Sequence, residues 1–400
     1  MAPARTIYAP SWEKLEKALK TQPLEASIEA LIFLLKRRQL HGDACADATA
    51  SILRQVVAKS KWHDVDDLLV QVQKAGSRLA QAAPHEPVIG NVVRRVMGLI
   101  RDEATESRNA DDFGSESASD IQSLAPATNP LVPVPTTRPG PTPIRLPTLA
   151  STTSFHVSKS MFNLLSIADP ADSVAGSFMT GTSTPISQAQ PASVHALRGE
   201  VMDGIDEIID EISQADDQIA SFADIQIHPG DFVLVHQPTP TVEKFLVRAA
   251  AKRRFTVLIS SLSPPQTGEV PYAALRKKLS AAGIRTINLA TNGLMAYMPK
   301  VNKVIFGARA VYQNGGLLAD SGAYTAARAA HESSKPVIVL SGIFKFCPED
   351  PSDEASKHEL GNSSSTVSYA DGSTVDAIEI ENTVAEYVPP NLVDVYLTNL

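Results

Sequence analysis

Phe232-Val-Leu-Val-His236, Phe255-Thr-Val-Leu-Ile-Ser260, Arg285-Thr-Ile-Asn-Leu-Ala290, Lys303-Val-Ile-Phe-Gly307 and Val337-Ile-Val-Leu340 are the five runs that decide the fold of this chain. Each is rich in Val, Ile, Leu and Phe and shows little polar alternation, the pattern of strands buried on both faces of a parallel sheet. Helix-length amphipathic segments separate most of them. Such alternation predicts a doubly wound, mostly parallel, Rossmann-like α/β domain with right-handed crossovers. In a sheet of that kind a ligand lies just past the carboxyl ends of the strands. The loops that follow these runs therefore hold the candidate site.

The segments around the strands read as helices and turns. Thr239-Pro240 is an N-cap followed by a first helical proline, opening a helix to about Lys252. Pro271–Ala282 is a helix closed by Gly283, and another runs from about Ala323 to His331. Upstream, Arg198 to about Asp224 is a long helix. Val201, Ile205, Ile208, Ile209, Ile212 and Ile219 line one side of it, and a solvated Asp/Glu face lines the other. His228-Pro-Gly-Asp231 turns the chain into the first strand.

Two further regions precede this domain. From Ser11 to Arg101 apolar residues recur at helical spacing, which predicts a bundle of four or five short helices, with Trp12 and Trp62 as core residues. Between 105 and 197 Ser, Thr, Pro, Ala and Asn dominate, too polar to offset the entropy of ordering. The expected organisation is a helical N-terminal domain at 11–104, a largely disordered insertion at 105–197, and a long helix with the α/β domain at 198–400.

Composition narrows the function. Four hundred residues, 43% hydrophobic and 20% charged, are ordinary for a globular protein of two or three domains. The net charge of −8 argues against nucleic acid as a partner, which needs a basic face. The two cysteines, Cys45 and Cys347, show no paired spacing, so neither a disulfide framework nor a zinc site is implied. The N-terminus lacks a secretory pattern, and the apolar run Leu31–Leu35 ends at Lys36-Arg37-Arg38. A soluble cytosolic protein with no membrane partner is expected.

Few residues at the strand ends can carry chemistry. Gly315, Gly316 and Gly322 lie between a strand and a helix, where backbone N–H groups can hold an anion. Their spacing is neither a dinucleotide fingerprint nor a phosphate loop, and a plain turn explains them equally well. His236 and Gln237 end the first strand, and Arg309 follows the fourth, but no Ser or Cys with a base sits there. His228, His236 and His358 lack metal-ligand spacing. No metal or cofactor is implied.

Several motifs occur together in a fixed order: Asn292-Gly-Leu-Met-Ala-Tyr-Met298, Val301-Asn-Lys-Val-Ile-Phe-Gly-Ala308, Asn314-Gly-Gly316, Ser321-Gly-Ala-Tyr-Thr325, Lys335-Pro-Val-Ile-Val and Glu386-Tyr-Val-Pro-Pro390. This set resembles the regulatory-subunit family of the eukaryotic guanine-nucleotide exchange factor for translation initiation factor two. The family also contains methylthioribose-phosphate and ribose-bisphosphate isomerases. The resemblance covers 198–400 and extends weakly to the helical domain through Gly90-Asn-Val-Val-Arg-Arg-Val-Met97. Among the alpha, beta and delta branches, Phe344-Lys-Phe-Cys-Pro-Glu-Asp-Pro and the long insertion look most like beta, with delta the runner-up.

The resemblance implies a test of function. The isomerases carry a catalytic Cys after the first strand and a catalytic Asp after the fourth. Here those places hold His236-Gln237-Pro238 and Arg309. Glutamine cannot shuttle a proton, and arginine stays protonated. The resemblance therefore implies a non-enzymatic regulatory subunit with a vestigial pocket at His236, Gln237, Arg309, Asn314, Gly315, Gly316, Gly322 and Tyr324. A sugar-phosphate isomerase and a small-molecule-sensing subunit are the alternatives. The implied partners are the delta subunit above all, then the alpha, gamma and epsilon subunits, and the alpha subunit of initiation factor two, whose phosphorylation such a core senses. The segment after Phe344 is apolar yet irregular. Phe344, Phe346, Tyr387, Val388, Pro389 and Tyr396 are its candidate interface residues. Because Tyr396–Leu400 follows what resembles a family strand, a further C-terminal piece is expected.

Overall fold

The computed structural model describes residues 21–116, 191–261, 272–350, 359–361 and 379–400, together with Leu15 and Lys17. Trp12, the Pro/Gly loop at 263–268, the remainder of the expected insertion, a strand that the sequence suggests at 365–369 and most of a second at 376–380 lie outside the described residues; 379 and 380 themselves are not strand.

Among the described residues, four helices with both ends defined build the N-terminal bundle: α1 (Leu24–Lys36), α2 (Asp43–Lys59), α3 (Val65–Ala82) and α4 (Pro87–Glu116). Their apolar stripes meet in one core, in which Leu31, Ile52, Leu53, Leu68, Leu79, Ile89 and Ile100 are fully buried. Asp64 accepts a hydrogen bond from the Val65 N–H at the start of α3. Trp62 is a core residue, as expected. Its indole N–H donates to the Val57 carbonyl at 3.3 Å, and the Arg198 guanidinium stacks over its ring.

Helix α5 (Pro191–Ser221) joins the two halves of the molecule. Val201, Ile205, Ile208 and Ile212 belong to the bundle core, whereas Ile219 belongs to the core of the α/β domain. One face of a single helix thus serves two cores. Helix occupies both edges of 105–197, since α4 extends to Glu116 and α5 begins at Pro191.

A short helix, α6 (Ala223–Gln226), leads into the α/β domain. The elements that follow are β1 (Phe232–His236), α7 (Pro240–Lys252), β2 (Thr256–Ser261), α8 (Ala273–Ala281) and β3 (Arg285–Ala290). Next come β4 (Lys303–Gly307), β5 (Ala310–Val311), β6 (Leu317–Asp320), α9 (Ala323–Glu332) and β7 (Val337–Leu340). The last described strands are β8 (Glu359–Leu360), β9 (Thr383–Val388) and β10 (Val395–Leu397).

The main sheet is parallel throughout, in the order β3-β2-β1-β4-β7-β10. Alternate residues point to opposite faces. Val233, Val235, Val257 and Ile259 meet α5, α7 and α8, whereas Leu234, Leu258, Val304 and Phe306 meet α9 and the 294–298 turn. Both faces are covered, so the doubly wound expectation holds. Four of the five expected strands have the expected bounds, and β2 is displaced by one residue. The sixth strand, β10, was not separable from its mixed surroundings by sequence.

A second, antiparallel sheet, ordered β5-β6-β9-β8, was not expected at all. It packs at the carboxyl end of the main sheet and frames the crevice there.

Candidate functional site

The strand order reverses at β1, between β2 and β4, and this is where a doubly wound sheet opens its crevice. His236 ends β1 with its ring 3% exposed. Its Nε2 lies 2.8 Å from the Ser321 carbonyl, which can only accept, so Nε2 carries the hydrogen. Nδ1 is then the acceptor, 3.2 Å from the Ser260 hydroxyl. Burial pulls the imidazole below its ordinary pKa, against the Ser321 contact and the charges of Asp320 and Glu386. The ring is therefore neutral, with both nitrogens engaged. Gln237, at φ +41°, donates its amide to the same Ser321 carbonyl at 2.8 Å.

The amino end of α9 opens on this crevice, and it is already filled. The Glu386 carboxylate, on β9, accepts from the backbone N–H groups of Gly322 and Tyr324, each at 2.7 Å. A negative group at a helix N-terminus is favourable, and here the chain supplies its own. Gly322 has φ +94°, and a Cβ there would stand 2.7 Å from the His236 ring, so only glycine fits between α9 and β1.

Arg309 follows β4. Its guanidinium pairs with Asp320 through Nε at 2.7 Å and with Glu359 at 2.9 Å. Burial works against the cation, but Asp320 and Glu359 outweigh it and hold the pKa above its usual value.

The eight residues expected to share one pocket fall into two places. His236, Gln237, Gly322, Tyr324 and, across Asp320, Arg309 surround the strand ends. Asn314, Gly315 and Gly316 form the turn of the β5–β6 hairpin, at the opposite end of β6 from Gly322. Asn314 donates to the Tyr387 hydroxyl at 2.8 Å and accepts from Gly316 N–H at 2.8 Å, and the Tyr396 hydroxyl donates to the Gly315 carbonyl. The three glycines do not form one anion cradle.

The expected interface residues also divide. Phe344 and Tyr387 are 6% and 7% exposed, and Val388 is fully buried; all three pack inside this chain. Phe344 lies in the core of the helical bundle, not on the surface. Pro389 and Tyr396 are half-buried, and Phe346 is exposed. Cys347 is buried, with its Sγ 3.3 Å from the Asn91 amide.

Sequence reading gave no site role to Glu386, Glu359, Asp320, Ser321 or Arg38, although Ser321 and Glu386 open two of the motifs that carry the resemblance. Glu386 carried a usable signal: it is the one charge in the otherwise uncharged run Thr383–Val388. Among the described residues no group of three or more His, Cys, Asp or Glu could hold a metal, and no helix is long and apolar enough to cross a membrane.

A cavity of about 260 Å³ lies between the bundle and the antiparallel sheet, lined by Pro84, Glu86, Pro87, Tyr312, Glu349 and Glu359. A neighbouring cavity of about 220 Å³ shares Glu86 and Glu359 with it and adds Arg38 and His41. The buried Glu86 accepts from His41 Nδ1 at 2.9 Å and from Gly42 N–H at 3.2 Å. The Glu86 hydrogen bond raises the His41 pKa above 6.5; burial and Arg309 oppose it, and Glu359 adds to it. A raised histidine pKa contributes stability that is fully present below pH 6.5 and is lost as pH climbs through the folded value. The melting temperature is therefore expected to fall between pH 6 and 8, by less in Glu86→Gln. Identical pH profiles for the two proteins, by thermal melting, would remove this assignment.

With this geometry established, comparison with known proteins places the chain. Residues 41–400 match the model of a family described as "Initiation factor 2 subunit family". The chain is 33% identical over 381 residues to the translation initiation factor eIF2B subunit beta of Schizosaccharomyces pombe, covering 94% of this chain and 91% of the relative. It is 30% identical to the subunit of the same name from Dictyostelium discoideum, over 93% of this chain and 90% of that one. Among solved structures, it is 57% identical to eIF2B beta from Chaetomium thermophilum, covering 98% of this chain and 92% of that chain, with a TM-score of 0.68. A chain of the tetrameric eIF2B-beta2-delta2 complex from C. thermophilum is 54% identical, covering 96% and 92%, with a TM-score of 0.66. The chain belongs to the initiation factor 2 subunit family.

Proposed function

We propose that this chain is a beta-type, non-catalytic regulatory subunit of the guanine-nucleotide exchange factor for translation initiation factor two. The observation that carries the proposal is the 54% identity, across 96% of the chain, to a chain of a complex built from eIF2B beta and delta. The strand-end geometry supports the same reading. A proton shuttle between sugar carbons needs a group free to give and take a proton. Gln237 is an amide, His236 is neutral with both nitrogens engaged, and Arg309 is a cation held by two carboxylates. An incoming phosphate meets Glu386 already seated on α9.

In this reading the chain pairs with a delta subunit and, through further pairs, joins the alpha, gamma and epsilon subunits. The assembled core receives the alpha subunit of initiation factor two and reports its phosphorylation, while nucleotide exchange belongs to another subunit. Affinity purification of the tagged chain from its native cell extract, followed by mass spectrometry, tests this. Recovery of delta-type and the other related subunits in fixed ratio, together with initiation factor two, is expected. Recovery of the chain alone, or as a homodimer, overturns it.

A further inference from the structure

Four charges of alternating sign cross from the strand-end crevice to the helical bundle. Asp320 closes β6, and Arg309 Nε is 2.7 Å from its Oδ1. Arg309 reaches on to Glu359 Oε2 at 2.9 Å. The other oxygen of Glu359 meets Arg38 at 3.1 Å. Arg38 lies in the turn just after α1, in the other half of the molecule, and its guanidinium also donates to the Leu360 carbonyl at 2.9 Å.

Glu359 is the pivot. Its side chain is 6% exposed, and a carboxylate so buried is costly unless paired. Each of its oxygens depends on a different arginine, and each arginine belongs to a different domain. Arg309 is anchored from behind by Asp320 and by its own N–H, which donates to the Leu318 carbonyl at 2.8 Å. Arg38 sits at φ +52°, a backbone conformation that an L-residue keeps only when its surroundings hold it. His41 and the buried Glu86 stand next along the same wall, facing the cavity that Glu359 also lines.

We propose that Arg309 and Arg38 act through Glu359 as one cross-domain latch, so that the strand-end crevice and the α1–α2 corner loosen or tighten together. Arg309, at the end of β4, is then a structural tie. Anything that moves Arg38 on the bundle is then felt at Arg309, which it does not touch. The latch is a property of this chain's own contacts and stands whether or not the subunit reading does.

Hydrogen–deuterium exchange on the full chain tests it, with peptides covering 35–42 and 309–321 as the two readouts. Arg309→Met is expected to speed exchange at 35–42 by about tenfold, and Arg38→Met to do the same at 309–321. The double variant is expected to exchange no faster than the faster single one, because both cut one chain of contacts. Exchange raised only in the domain that carries the substitution, or additive effects in the double variant, overturns the latch. Should Arg309→Met fail to fold, Arg38→Met at a partly exposed site and Glu359→Gln still decide. Glu359→Gln must raise exchange at both peptides together, and a rise at one alone overturns the proposal.

Discussion

Gly307→Ala is expected to lower the stability of the folded chain by about 3 kcal/mol, from overpacking with loss of a helix cap. Gly307 is the last residue of β4, at the point where the strand order reverses. A Cβ there would stand 2.6 Å from Cγ2 and 2.9 Å from Cβ of Thr239, and closer still to its hydroxyl. Thr239 is the N-cap of α7, and its side chain accepts from the Val242 N–H. Relief of the clash must displace either the buried end of β4 or the cap. Urea denaturation checks the prediction, with Gly230→Ala as control. That glycine has open space around it but φ +87°, so the control reports backbone strain without a clash. A loss at position 307 of under about 1 kcal/mol would mean that the crevice has slack. Room for a ligand would then exist where the structure shows close packing.

The sheet was legible because its strands are buried on both faces. Val233, Leu234 and Val235 each meet a different layer from their neighbour, so the sequence runs apolar without alternation. The antiparallel sheet was not legible for the opposite reason. β5 and β8 have two residues each, and β9, which holds the sheet together, pairs with segments far along the chain, as Leu317 of β6 with Val388 and Glu359 of β8 with Ala385. No local periodicity marks such strands. The long helices were found but cut short, since polar residues near 105–116 and 191–197 read as linker although helix continues through them.

Reading the site met a similar limit. Gly315, Gly316 and Gly322 are close in sequence, yet four strand residues separate the pair from the third and carry them to opposite ends of β6. Two of them shape a hairpin turn, and the third makes room for His236. The residues that fill the crevice, Glu386 and Glu359, come from strands that sequence reading did not place. A crevice position inherited from a fold is only a location. Its chemistry depends on which distant side chains return to it.

Phe344→Ala carries the other large expected effect, a loss of about 3–4 kcal/mol. Its ring is 6% exposed and belongs to the core of the helical bundle, although the residue follows β7 in the α/β domain. Its carbonyl accepts from the Asn91 amide at 3.1 Å, and next to it Lys345, with its side chain 5% exposed, pairs with Asp43 at 2.7 Å. Truncation therefore leaves a cavity at the seam of the two domains, where contacts on both sides are fixed and cannot close around it. Phe346 is 38% exposed, and Phe346→Ala should change stability by less than about 1 kcal/mol. If the apolar segment after Phe344 meets a delta-type subunit, the weakened association belongs to Phe346→Ala, while Phe344→Ala lowers the urea midpoint. Urea denaturation of each variant, paired with co-purification against a delta-type subunit, separates the two roles. An unchanged urea midpoint for Phe344→Ala together with lost association would show that this ring serves the subunit interface and not the bundle core.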